Sequence, residues 1–356
     1  KHNFKKGMAF VLSLAMVAGL VPAMSGGANT VQAATGSGTE PSVTAYATKD
    51  QLMTAFNPDS NGDATTIGKL VFGKNSSSVA QEWYILGRDT GVSGDNTIIF
   101  ATSPIATGQK FNSSYDNKSF ASSFGVYASN PSEVYANHYG ASDLRAALQG
   151  MLMDTNGNTE TKYFTTTEQG LMNATTVTTK DTKNSSVTYT TTDKLYALTA
   201  DGAGFPYTTI KVGSDNNTVL AESSYWRSGE LFWLRSPSDL DSSDNIAWVA
   251  YPGKYVYGSI VSTKFAVQPA SNLNLSSVLF ASAAKATSSD RTELGTIASG
   301  TAMTLRLNGS SKNIGTVAYD TTTGDIKVVK GSTSQTVALV VQGNDGTDDW
   351  YYSKQI

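Results

Sequence analysis

The chain has 356 residues and a formal net charge of −3, from 26 Lys plus Arg against 29 Asp plus Glu. It carries no basic field to collect phosphates, which argues against nucleic-acid binding. It has no Cys, so disulfides, thiolate nucleophiles, zinc–thiolate sites and iron–sulfur clusters are excluded. Charged residues make up 15%, aromatics 10%, and Ser plus Thr number 86. That composition fits an all-β or loop-rich extracellular protein better than a helical bundle, and the length suggests about two domains.

Lys1, Lys5 and Lys6 precede an apolar stretch from Met8 to Val21, and small residues follow around Ala33. Basic, apolar, then small is the order of a secretory leader, so residues 1–33 are expected to be a signal peptide cleaved after Ala33 or Ala34. Loss of those three Lys and no acid takes the net charge from −3 to −6. The stretch is short for a membrane span, and no membrane insertion is expected after cleavage. An exported chain without Cys suits a Gram-positive cell and a secreted or cell-surface location.

Residues 34–50 read as a linker. In 51–284, Val71-Phe72, Trp83-Tyr84-Ile85-Leu86 and Thr97-Ile98-Ile99-Phe100 read as early strands. Ser142 is a good N-cap for a helix with Leu144, Leu148, Met151 and Leu152 on one side. A second, shorter helix is expected from Thr166, with Gln169 available for a capping box. The Thr-rich run from Thr175 to Lys194 favours exposed strand over helix. Late strands follow at Leu231-Phe232-Trp233-Leu234, Ile246-Ala247-Trp248-Val249 and Phe265-Ala266-Val267. Two helices between early and late strands make this an α+β domain. Residues 285–300 thin out into a second linker. In 301–356, alternation at Met303/Leu305/Leu307, Val317/Tyr319, Ile326/Val328 and Val337/Leu339/Val341, with turns between, predicts a small all-β module. An immunoglobulin-like sandwich needs about seven strands. About five are visible before Ile356, so the reading expects the module to be truncated there.

Several segments of the large domain carry a resemblance. They are Gln81-Glu82-Trp83-Tyr84-Ile85-Leu86-Gly87, Asn137-His138-Tyr139-Gly140-Ala141-Ser142-Asp143-Leu144-Arg145, Tyr163-Phe164-Thr165 with Glu168, Phe232-Trp233-Leu234-Arg235-Ser236-Pro237, and Phe265-Ala266-Val267-Gln268-Pro269-Ala270. Together they resemble a domain of unknown function found in exported proteins of gut Gram-positive anaerobes. That domain is similar to the C-type-lectin-like fold of the formylglycine-generating-enzyme type. The resemblance implies a lectin-like domain with about two helices and a mixed or antiparallel sheet, followed by an Ig-like module. Gln268 stands where the related pattern usually has Arg, which puts a buried Arg partnership there in doubt. Fold does not imply function. The oxidases of this fold hold copper through Cys, and its iron-dependent synthases need several His. The sequence has no Cys, and only His138 lies beyond the leader.

His138, as a lone His with no nucleophile beside it, reads as a packing residue rather than a general base. Asp59, Asn61 and Asp63 alternate as in a calcium loop, but the twelfth position is Leu70, so a solvated turn is the simpler reading. Asp239, Asp241, Asp244 and Asn245 are the candidate calcium ligands in a late loop. Calcium is therefore left open, and no other cofactor is expected. Arg235 ends an apolar run. It is expected to point away from the core and pair with a carboxylate, as a structural residue or a ligand contact. Trp83, Trp233 and Trp248 are expected in the core. Tyr251, Tyr255 and Tyr257 flank Pro252-Gly253 and Gly258, and are the candidate ligand-binding residues on a hairpin.

The expected function is non-enzymatic extracellular recognition, adhesin-like, of a glycan or a protein. One alternative is a carboxylate-dependent glycan hydrolase, for which Glu222 and Glu230 would be paired acids although nothing in their spacing selects them. The other is a structural component of the cell envelope.

Overall fold

The computed structural model describes residues 13–17, 29–32, 46–53, 69–113, 135–180, 188–201, 209–214, 218–220, 230–238, 245–251, 255–282, 302–308, 315–323, 325–330, 336–344 and 349–355. The chain divides into two units. The larger runs from Leu52 to Ser276; the other combines Lys1–Gln51 with Ser277–Ile356. Among the described residues the protein is sheet-rich, with two helices of more than one turn.

In the larger unit, Lys69–Lys74, Ala80–Gly87, Asn96–Ala101, Ala270–Asn274 and Met172–Asn173 are joined in that order by antiparallel pairing. Asn96–Ala101 is buried at every position, as expected of a central strand covered on both faces. A five-stranded mixed sheet follows the order Tyr255–Ile260, Ile246–Tyr251, Phe232–Pro237, Lys264–Val267, Ala106–Lys110. Its pairs are antiparallel except that Phe232–Pro237 runs parallel to Lys264–Val267. Phe100 and Phe232 meet with ring centroids 6.2 Å apart. Trp83, Trp233 and Trp248 are all buried, as the sequence predicts.

The Thr-rich run forms a two-stranded ribbon, Thr175–Lys180 against Thr188–Asp193. Exposure alternates along both strands, so Val177, Tyr189, Thr191 and Asp193 turn inward while Thr176, Thr190 and Thr192 face out. A third small sheet joins Thr199–Asp201, Thr209–Val212 and Thr218–Leu220.

The helix Asp143–Gly150 starts where Ser142 predicts, with the Arg145 amide donating to Ser142 Oγ at 3.0 Å. The shorter helix Thr166–Leu171 has a capping box one residue earlier than expected. Thr165 is the N-cap and Glu168, not Gln169, closes the box. The Glu168 amide donates to Thr165 Oγ1 at 3.2 Å, and Glu168 Oε2 accepts from the Thr165 amide at 2.7 Å. Gln169 is instead buried, donating to the Glu160 and Phe164 carbonyls. Glu168 Oε1 also accepts from the Gly73 amide at 2.8 Å, which ties this helix to the first strand.

Gly73 has φ of +68°, and a Cβ there would lie 2.8 Å from the Tyr163 carbonyl oxygen and against the Phe164 ring. Gly73→Ala is expected to cost about 2–4 kcal/mol, from left-handed strain plus overpacking. Gly94 is the control. Its φ is +77° with nothing within 4 Å, so Gly94→Ala carries the strain alone, about 1–2 kcal/mol. Denaturant melts of the two variants measure the difference.

In the second unit, Ala302–Asn308 pairs with Val278–Ser282, which pairs with Tyr46–Thr48. The alternating Met303, Leu305 and Leu307 are all buried. Gly315–Tyr319 pairs with Asp325–Lys330, and Thr336–Asn344 with Asp349–Gln355. These are the five strands expected of 301–356. Val278–Ser282 lies in this unit, so the boundary falls a few residues before the expected Ala284. Tyr46–Thr48, read as linker, is a strand. Within the expected leader, Ser13–Val17 pairs with Thr336–Asn344 and with Ala302–Asn308, and Asn29–Gln32 pairs with Asp325–Lys330. The 285–300 linker lies outside the described residues.

Candidate functional site

A buried charged centre is assembled where the helix Asp143–Gly150 meets the Thr-rich ribbon. Arg145 is one residue past Leu144 on the inward side of its helix, and all three of Leu144, Arg145 and Leu148 are buried. Asp193 ends the inward face of the Thr-rich ribbon. Arg145 Nε donates to both Asp193 oxygens at 3.0 Å, and its Nη2 to Oδ1 at 2.8 Å. Arg145 Nη1 donates to the Gly140 carbonyl at 3.2 Å, and Gln149, one turn on, donates to Asp193 Oδ1 at 2.9 Å. Burial works against the Arg145 cation, but the hydrogen bonds and charge of Asp193 outweigh it and hold its pKa above the ordinary value.

Aromatic side chains close around this pair. The Tyr139 hydroxyl accepts from the Ala197 amide at 3.3 Å. Burial first, and the Asp193 carboxylate second, push the Tyr139 pKa far above that of a free phenol. The Tyr139 amide donates to Tyr189 Oη at 2.9 Å, and the His138 ring stacks on Tyr189 at 4.0 Å and 14°. His138 is thus a packing residue against the ribbon, 4% exposed.

Arg235 corrects an expectation. It does not point away from the core: it is fully buried, donating from Nη1 to the Ala197 carbonyl at 2.7 Å and from Nη2 to the Thr178 carbonyl at 3.2 Å. Its strand is buried at all six positions, with a register shift between Trp233 and Pro237. Desolvation lowers its pKa. A guanidinium in this position cross-links the backbone of the ribbon and of the segment after it, and offers no surface to a ligand. Gln268, where Arg was in question, is buried and donates to the Ala101 carbonyl at 2.8 Å.

A second buried polar chain escaped the sequence reading. Asn173 donates to Asn272 Oδ1 at 2.7 Å, and Asn272 to Asn96 Oδ1 at 3.0 Å. Asn96 Oδ1 accepts from the Asp89 amide at 2.9 Å. Asp89 accepts from the Ser214 hydroxyl and amide at 2.6 and 2.8 Å. Its members are 41 or more residues apart except for Asp89 and Asn96, so no local spacing announces it.

The tyrosines fall on the five-stranded sheet. Tyr251 pairs with Tyr255 and Val249 with Tyr257, and Trp233 pairs with Val249. Side chains alternate along a strand, so Tyr251 and Tyr257 share one face with Trp233. The hairpin expected from Pro252-Gly253 is present on both sides of that turn. Tyr251 and Tyr257 are half-buried; the Tyr255 side chain lies outside the described residues. Tyr257 meets Phe265 edge-on at 6.5 Å, Phe265 meets Trp233 at 5.0 Å, and Trp233 meets Phe111 at 5.5 Å. Trp233 Nε1 donates to the Gln109 carbonyl at 2.9 Å, which fixes the ring on that face. Two regions emerge from the predicted site: Tyr251 and Tyr257 together on the sheet face, and Arg235 in the core behind it.

Asp59, Asn61, Asp63, Asp239, Asp241, Asp244 and Glu222 lie outside the described residues, and Glu230 is exposed. Among the described residues, no group of three His, Cys, Asp or Glu is placed to hold a metal ion, and no helix is long and apolar enough to cross a membrane.

No curated protein and no solved structure matches the chain. Residues 114–275, which include the charged centre and the tyrosine face, match the model of a family described as a domain of unknown function, DUF6273, and it is to this family that the larger unit is similar.

Proposed function

We propose that the chain is a non-enzymatic recognition protein, exported by a Gram-positive cell through cleavage after Ala33 or Ala34, and that the Tyr251–Tyr257 hairpin is its contact surface. One observation carries this reading. Register sets Tyr251 and Tyr257 on the same sheet face as Trp233, and Tyr257 continues edge-on into the Phe265–Trp233–Phe111 aromatic series. Tyrosine supplies broad contact area at low entropy cost, and a rigid sheet behind it removes part of the ordering penalty of binding. The only described salt bridge that is buried on both sides, Arg145–Asp193, is committed to holding the scaffold. The lectin-like and Ig-like assignments belong to the same proposal: a recognition domain followed by a spacer.

The ligand class in this reading is an extracellular glycan. A glycan array with product analysis of every bound sugar tests it. Retention of intact glycan is the expected result. Cleavage of a bound glycan would turn the assignment to a hydrolase, and an array without hits would turn it to a structural role in the envelope.

A further inference from the structure

The two edges of the five-stranded sheet are built differently. At one edge, Ala106–Lys110 ends in a charge and has a register shift against Lys264–Val267. Charge and irregularity are the usual protection of an edge against another strand. At the other edge, Tyr255–Ile260 has neither. It reads Tyr-Val-Tyr-Gly-Ser-Ile, without charge or Pro, and pairs rung for rung with Ile246–Tyr251. Ile260 stands 45% exposed at its end.

The backbone groups of that edge strand can be assigned by direction. The Val261 amide donates to the Asn245 carbonyl at 2.9 Å. The Ile246 carbonyl, one residue on, accepts from the Ser238 amide at 3.1 Å on the opposite side. Antiparallel ladders alternate bonded and non-bonded pairs. Tyr255, Tyr257 and Ser259 therefore bond inward to Tyr251, Val249 and Ala247, while Val256, Gly258 and Ile260 turn their amides and carbonyls to the outer edge. Among the described residues no strand pairs with that edge, and the Ile260 carbonyl accepts from the Thr263 amide within its own turn.

We infer that the Tyr255–Ile260 edge pairs with the same edge of a second copy of this chain, antiparallel about a twofold axis between the two Gly258 residues. Only that register matches all three outward residues. Gly258 exchanges amide and carbonyl with its copy, and each Ile260 amide reaches the other copy's Val256 carbonyl. Exposed Ile260 then lies beside Val256, and Tyr257 beside Ser259, with no charge opposing another. A twofold axis normal to the sheet keeps equal faces on one side, so Tyr251 and Tyr257 of both copies lie on one continuous surface. The inference goes beyond the tyrosine reading by making that surface bivalent, and the pairing itself does not depend on what the tyrosines bind.

Sedimentation equilibrium of the full chain, with amide hydrogen exchange read residue by residue, tests the pairing. A six-residue edge is smaller than a standard interface of about 1,600 Å², so the dimer should be weak and grow between about 5 and 500 µM. Over that range the Gly258 and Ile260 amides should gain protection, whereas those of Tyr257 and Ser259, already bonded inward, should change little. Ile260→Lys should sediment as a monomer and melt, when dilute, close to wild type. Val79→Lys, which charges another exposed apolar residue, should dimerise as wild type does. A monomer at every concentration overturns the inference, as does a dimer that Ile260→Lys leaves intact or whose new protection lies away from Gly258 and Ile260. A monomer in which an added extended peptide of unrelated sequence protects those two amides assigns the edge to a foreign strand and overturns the dimer. Glycan binding by a chain that stays monomeric leaves the tyrosine surface standing, whereas a dimer without any glycan hits removes that surface and keeps the pairing.

Discussion

Asp193→Asn is expected to destabilise the larger unit by about 3–5 kcal/mol, the usual cost of removing one partner from a buried ion pair. The substitution keeps the shape of the side chain and removes its charge. Arg145, 2% exposed, would then lie in the core without the carboxylate that accepts three of its hydrogen bonds. Three hydrogen bonds from Arg145 and one from Gln149 end on Asp193, so the loss is shared by the helix and the ribbon. Gln149→Ala removes only one of these and leaves the charges paired, so it should cost nearer 1–2 kcal/mol. Chemical denaturation of both variants gives the ratio. A loss below about 1 kcal/mol for Asp193→Asn would mean that water or another group neutralises Arg145, and the pair would no longer be what fixes the ribbon to the helix.

Trp233→Ala is the second large effect, about 3–5 kcal/mol for truncating a buried indole. The ring touches both Phe111 and Phe265, and its Nε1–H is the donor to the Gln109 carbonyl. Truncation therefore opens a cavity and leaves a part-buried carbonyl without that partner. Trp233→Phe retains most of the apolar volume and loses the donor, so it should fall between the two. Melting curves of the two variants separate the cavity from the hydrogen bond. A cost for Trp233→Ala no larger than that of a surface substitution would show that the aromatic series does not support the tyrosine face.

What the sequence announced and what it concealed follow from the range of the interactions. The Ser142 cap and the helix after it are written within one turn, and the structure has both. The strands at Trp83, Thr97, Phe232 and Ile246 are written in consecutive side chains, and the Thr-rich ribbon in its β-branched run. The capping box at the second helix was displaced by one residue because Thr165, Thr166 and Thr167 are all competent caps. Only the reach of Glu168 to both Gly73 and Thr165 selects the first. The Arg145–Asp193 pair joins residues 48 apart, and local pattern has no access to that distance. One signal did point to it. Alternation along Thr188–Asp193 turns Tyr189, Thr191 and Asp193 to the same side, and a charge on an inward position requires a partner. The same logic applied to Arg235, whose neighbours Phe232, Trp233 and Leu234 are all apolar, would have buried it. Expecting it to face outward assumed an alternating strand, whereas its strand is covered on both sides.

In the proposed function Tyr251 and Tyr257 form a ligand surface beside the buried Trp233 on one sheet face. Paired measurements of glycan affinity and melting temperature on Tyr251→Ala and Tyr257→Ala, alongside Trp233→Ala, test it most directly. Each Tyr variant should lose about 1 kcal/mol or more of binding while keeping a melting temperature close to wild type. Trp233→Ala should lose stability first. If the Tyr variants instead melt as early as Trp233→Ala, or bind as tightly as wild type, the tyrosines belong to the core and the proposed surface is contradicted.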